Sequence, residues 1–107
     1  MRRGLVKNHG RLAGVLEELD DGRFRFTYNQ EYLLDEETSG VSLTLPKRAE
    51  PYYSSLLFPF FFGLLAEGST RELQSRLLRI DEEDSFGLLL ATGHNTIGSV
   101  SVEKELK

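Results

Sequence analysis

The stretch "LLFPFFFGLLAEG" at residues 56–68 places four of the chain's seven phenylalanines within five positions. An apolar block this dense limits the architectures open to a short acidic chain. Residues 56–66 run for 11 positions without a charge but are broken by Pro59 and Gly63, whereas a membrane-spanning helix needs about 20 apolar residues. The block is therefore read as non-spanning. On a helical projection Phe58, Phe61, Phe62 and Leu65 cover one side and Leu57, Phe60 and Leu64 the other, so a helix here must be buried on more than one face. A chain of 107 residues has room for one core, in which a sheet and neighbouring helices share that burial and leave some apolar surface for a partner.

The sheet is announced before the block. From Gly4 to Tyr28 the chain reads as a meander of about three strands, with turns at Asn8-His9-Gly10 and Asp20-Asp21-Gly22. Phe24, Phe26 and Tyr28 alternate with Arg23, Arg25 and Thr27, which puts aromatics on the covered face. Residues 29–37 suggest a helical turn or two after Asn29 as N-cap. Val41, Leu43 and Leu45 alternate up to Pro46 and predict a further strand, with Lys47–Ser55 as an irregular connection.

Three helices are predicted next. Pro59 suits a first turn, and Gly68 can close that helix in a left-handed conformation. Ser69 and Glu72 match a capping box for a second helix, in which Leu73, Leu77 and Ile80 recur at helical spacing. The acidic run Asp81–Asp84 suits the N-terminus of a third helix ended by Gly93, and Val100 and Val102 mark a closing strand after the loop 93–98. The expected fold is α+β: a single small domain over residues 1–107, with a mainly antiparallel sheet of about five strands and about three helices packed against it.

Charge and chemistry narrow the function classes. A net charge of −4 and a pI of about 5.2 speak against direct nucleic-acid binding, which needs a basic face. Cysteine is absent, which removes disulfides and thiolate metal sites. His9 and His94 lie in turn contexts without a second histidine three or four residues away, and Asp81–Asp84 lack calcium-loop spacing. None of Ser69, Ser85, Ser99 or Ser101 sits in G-x-S-x-G, and no glycine-rich phosphate loop is present. The expectation is a protein without catalytic residues, cofactor or metal. The start "MRRGLVKNHG" has basic residues but no apolar signal segment, so a cytoplasmic location is expected. Arg71, Arg76 and Arg79 share the second helix; they read either as a solvated face, with Glu72 and Arg76 paired, or, for Arg71, as a reach toward an acidic or phosphate group on another protein.

Four segments together resemble a known family: "NHGRLAGVLEE" at 8–18, "VSLTLP" at 41–46, "LFPFFFGLLAEGSTREL" at 57–73 and "DSFGLLLATGHNTIGSV" at 84–100. In order and spacing they are similar to the first N-terminal subdomain of HipA-like serine/threonine kinases, and to its free-standing form, HipS, in tripartite HipBST toxin-antitoxin systems. The chain departs from the family pattern at Ala66, where proline is usual, at Ser69, where a bulky residue is frequent, and at Asn95 and Ser99, where aspartate and alanine are usual.

The resemblance implies an antitoxin that binds a HipT or HipA-like kinase toxin and blocks it sterically near its active site, with a helix-turn-helix HipB-like protein as a third component. The alternative it implies is a subunit that completes the kinase N-lobe, or supports a repressor complex, without inhibiting. No catalytic residue carries over. The partner-binding residues expected on this reading are Glu67, Gly68 and Ser69 at the corner, flanked by Phe62 and Arg71.

Overall fold

The computed structural model of the chain describes residues 2–95 and 98–105. Strands β1 (Arg3–Asn8), β2 (Arg11–Glu18) and β3 (Phe24–Tyr28) form the expected meander. His9 and Gly10, at φ of 53° and 79°, make the tight first turn, which matches the twist of paired strands. β4 (Tyr52–Ser54) and β5 (Val100–Lys104) complete one fully antiparallel sheet in the order β4-β3-β2-β1-β5. The α+β expectation and the strand number are met, but one strand is not where the sequence placed it.

That strand is the one expected at Val41–Leu45. The segment forms a turn closed by a bridge between Ser42 and Leu45, and Leu43 at its tip is fully exposed. The cause is Tyr28: its hydroxyl donates to the Leu45 carbonyl and accepts from the Val41 amide at 3.0 Å, so both backbone groups are spent on a side chain instead of a ladder. The fourth strand is β4, inside the presumed irregular connection, where Tyr52 and Ser54 pair with Phe26 and Phe24.

Register sets the two faces. Val6 opposes Val102, Leu16 opposes Phe26 and Gly14 opposes Tyr28, and all of these point to the core. A β-bulge at Val6/Lys7 lets Ala13 stand as an extra residue in β2. Gly14 is required by close approach, because a Cβ there would lie 2.4 Å from the Thr27 carbonyl oxygen.

The helices cover this face. α1 (Gln30–Leu34) follows Asn29, whose side chain makes no cap hydrogen bond. α2 is shorter than expected: it spans Pro59–Phe62 and gives way to tighter turns, in which the Leu64 and Leu65 amides reach back three residues to Phe61 and Phe62. Tightening brings Leu65 into the core beside the buried Phe58 and Phe61. α3 is Gly68–Leu78 and α4 is Ser85–Thr92, with Asp84 capping α4 by accepting from the Gly87 amide at 3.1 Å. Gly93 ends α4 as expected and opens a 3-10 turn to Asn95; Thr96 and Ile97 of the expected loop lie outside the described residues. The aromatic centre is Phe26, Phe61 and Phe86, with Phe26 and Phe61 5.5 Å apart and Phe24 set edge-on to Phe86 at 5.6 Å.

Candidate functional site

The corner between α2 and α3 holds Glu67, Gly68 and Ser69, with Phe62 at the end of α2 and Arg71 in the first turn of α3. After the tight turns at Leu64 and Leu65, Glu67 is extended and Gly68 takes φ of +61°. The left-handed glycine is where the sequence suggested, but it opens α3 instead of closing α2. Ser69 therefore falls inside the first turn, Glu67 occupies the N-cap position, and the expected Ser69 capping bond is not made. Glu67, Gly68 and Ser69 are all exposed, so the corner is a bare protrusion. Nothing lies within 4 Å of a Cβ built on Gly68, and the need for glycine there is purely conformational.

Phe62 and Arg71 meet behind this corner. The Arg71 guanidinium sits 5.4 Å from the Phe62 ring centroid. It also donates to the Glu82 carbonyl at 3.1 and 2.7 Å and to the Ser85 hydroxyl at 3.0 Å. One arginine fork thus ties α3 to the approach and first residue of α4, and clamps the Phe62 ring, which remains 49% exposed. Arg71 faces into this junction, occupied by groups of its own chain.

Sequence reasoning missed the other exposed apolar residues. α3 has no buried residue; of the residues read at helical spacing, Leu73 and Leu77 are 50% and 73% exposed, and only Ile80 beyond the helix is partly buried. The inward side of the helix is given to Arg71, Gln74 and Ser75, whose hydroxyl donates to the Ile80 carbonyl. The helical period was the signal for this stripe, but period alone does not say which way a stripe faces.

Beside Phe62 runs a groove of 540 Å³ between α2, the start of β3 and the N-terminus of α4. Buried Phe86 and half-buried Phe24 and Leu57 line its depth, and exposed Leu56 and Phe62 its mouth. Three acidic residues border it: Glu18, Glu83 and Asp84. Arg2 claims two of them, with bonds of 2.8 and 3.0 Å to Glu18 and of 2.8 and 2.9 Å to Asp84, while its guanidinium lies 5.4 Å from the Phe86 ring centroid. The hydrogen bond from Arg2 holds the Asp84 carboxyl below its ordinary range, against the opposing effect of burial. Glu83 is exposed, and its carboxylate makes no ion pair with any described residue.

Among the described residues no three His, Asp or Glu side chains are grouped to hold a metal ion. His9 stands in the first hairpin turn and His94 is exposed in the 3-10 turn. Among the described residues no helix is long and apolar enough to cross a membrane. What the site offers is shape: a protruding corner, a clamped aromatic ring and an apolar groove.

Both fold and sequence place the molecule in one class. The family described as HipA N-terminal domain matches residues 5–103, and the chain belongs to it. The solved structure of the N-terminal domain of HipA toxin is similar over the whole chain, with a TM-score of 0.75 at 36% identity and 95% of that chain covered. A Haemophilus influenzae protein is 36% identical over 105 residues, 98% of this chain and 94% of its own length. Two Sinorhizobium fredii proteins named "Putative kinase Y4mE" and "Putative kinase Y4dM" are 35% and 30% identical over 90% and 91% of this chain. The chain spans only 23% and 25% of the length of those two.

Proposed function

We propose that this domain acts as an antitoxin, binding a HipA-like kinase toxin and blocking its phosphorylation activity sterically. The observation that carries the reading is the α2–α3 corner, where Glu67, Gly68 and Ser69 are all exposed while, on the flanking helices, Arg71 is held by the Glu82 carbonyl and the Ser85 hydroxyl and lies over the Phe62 ring. A protrusion on a rigid support enters a neighbouring cleft at little cost in conformational entropy. The Haemophilus relative, of which 94% aligns, supports the view that such a domain occurs with little else attached. The test is phosphorylation by the partner kinase with this chain added: loss of activity at stoichiometric chain is expected, and undiminished activity at saturation overturns the proposal.

A second reading has its own support. In the two Sinorhizobium proteins the matching region is about a quarter of a chain named as a kinase, so a domain that completes a kinase fold without inhibiting it fits as well. Co-purification with an active kinase and a helix-turn-helix protein, with full kinase activity in the complex, would select this reading.

A further inference from the structure

The groove beside Phe62 combines an apolar floor with an acidic rim. Its volume of 540 Å³ lies in the range of ligand pockets, but Leu56 at its mouth is 75% exposed, so it is an open trough and not an enclosed chamber for a small molecule. A trough of this kind takes one or two side chains from another protein, in the manner of an anchor residue filling a pocket. Its rim is acidic, and the acids are not equivalent. Glu18 and Asp84 share the one cation of Arg2, whereas Glu83 carries an unpaired carboxylate with exposed Asp81 and Glu82 next to it.

We infer that this groove is a second docking point for the kinase partner, separate from the corner. It receives a leucine or aromatic side chain of the kinase that has an arginine or lysine close by in sequence. The apolar side chain lies against Phe86, Phe24 and Leu57, and the cation meets Glu83. The inference rests on the proposed kinase-binding function and names the chemistry of the partner surface. Charge complementarity selects the occupant: a chain of net charge −4 with an unpaired carboxylate at the rim repels an acidic segment and favours a basic one.

The experiment uses the full chain and a HipA-family kinase from the same organism, with affinity measured by calorimetry and inhibition by phosphorylation assay. Leu56→Glu and Glu83→Lys change exposed side chains, so both variants keep the fold, which circular dichroism verifies; Leu56→Ser replaces the first should it unfold. We expect Leu56→Glu to weaken binding by about tenfold or more. Glu83→Lys weakens it by a smaller factor that shrinks as salt is raised. Leu43→Glu, at the exposed tip of a different turn, leaves binding unchanged. If the unaltered chain binds and inhibits but both groove variants match it, the groove inference is overturned and the antitoxin reading stands. If the unaltered chain does not bind the kinase at all, both fall together.

Discussion

The two faces of the sheet solve opposite problems. On the open face the charges pair with one another: Glu105, just beyond β5, and Arg3, Glu17 and Arg25 on β1, β2 and β3 follow in a row, with Arg3 3.4 Å from Glu17, 3.1 Å from Glu105, and Arg25 2.8 Å from Glu17. Lys7 and Glu103 add a further pair at 3.2 Å. Each of these carboxylates has its cation within the same molecule, with Arg3 Nε and Glu105 Oε2 meeting as an ion pair without a hydrogen bond. The helical side buries Phe26, Phe61 and Phe86 but leaves Phe62 and Leu73 about half exposed and Leu56 and Leu77 mostly exposed. A face with matched charges has little to gain from a partner. One with unburied leucine and phenylalanine does, because apolar area removed from water is favourable at roughly 25 cal/mol per Å².

The sharpest way to break this contrast is to change adjacent phenylalanines. Phe61→Ala, at a fully buried position, is expected to cost about 3–5 kcal/mol in urea unfolding. Phe62→Ala, one residue on, is expected to cost under about 1 kcal/mol in the same measurement yet to weaken kinase binding. Equal losses of stability would show that Phe62 belongs to the core and not to a surface.

On the open face, Glu17→Ala leaves Arg3 and Arg25 without their shared carboxylate. The expected loss is about 1 kcal/mol, the low end for an orphaned charged donor, because the two arginines keep 34% and 31% of their side-chain exposure. Kinase binding is expected to be unaffected, and a loss of binding would move the interface to this face.

The Arg2 clamp joins the sheet to α4 and is readable by acid titration. Asp84 is depressed in the folded state by the hydrogen bond from Arg2. Its contribution is therefore present above the unfolded carboxylate pKa and is lost as pH falls through the lower folded value. Arg2→Ala is expected to flatten the loss of stability below about pH 4. Asp21 and Asp35, lowered chiefly by bonds from Arg23 and Arg11, keep their own share. An acid-denaturation profile identical to the parent's would dismiss the clamp.

The smallest expected effect is in α3. Leu73→Ser with Leu77→Ser should change thermal stability by no more than about 0.5 kcal/mol for each site, whereas a buried leucine lost to a small residue costs about 2–5 kcal/mol. A large drop would place that stripe in the core.

The meander, the last strand, α4 behind its acidic run and the existence of α3 were legible from period, turn residues and charge, since each depends on neighbours a few residues away. The position of the fourth strand was not. Val41–Leu45 and Tyr52–Ser54 both have the residues of a strand, and the choice between them was made by the Tyr28 hydroxyl, which captures Val41 and Leu45 from another element. At the candidate site, the exposed Glu67-Gly68-Ser69 corner and the left-handed glycine followed from local residue types. The inward turn of Arg71 did not, since its acceptors, Glu82 and Ser85, lie 11 and 14 residues away. Nor did the outward face of Leu73 and Leu77, because helical spacing is the same whichever side is wet.

By itself, then, the sequence determined the α+β class, the family and the apolar block at 56–68, all carried by pattern and local conformation. Tertiary structure decided how that block was divided. Phe61 went to the core and Phe62 to the surface, because α2 ends after Phe62 and tight turns then carry Leu65 inward, while the Arg71 fork holds the Phe62 ring at the rim. Which phenylalanine is buried depends on where the helix stops and on what packs beside it, and both are properties of contacts between elements that are distant in the chain.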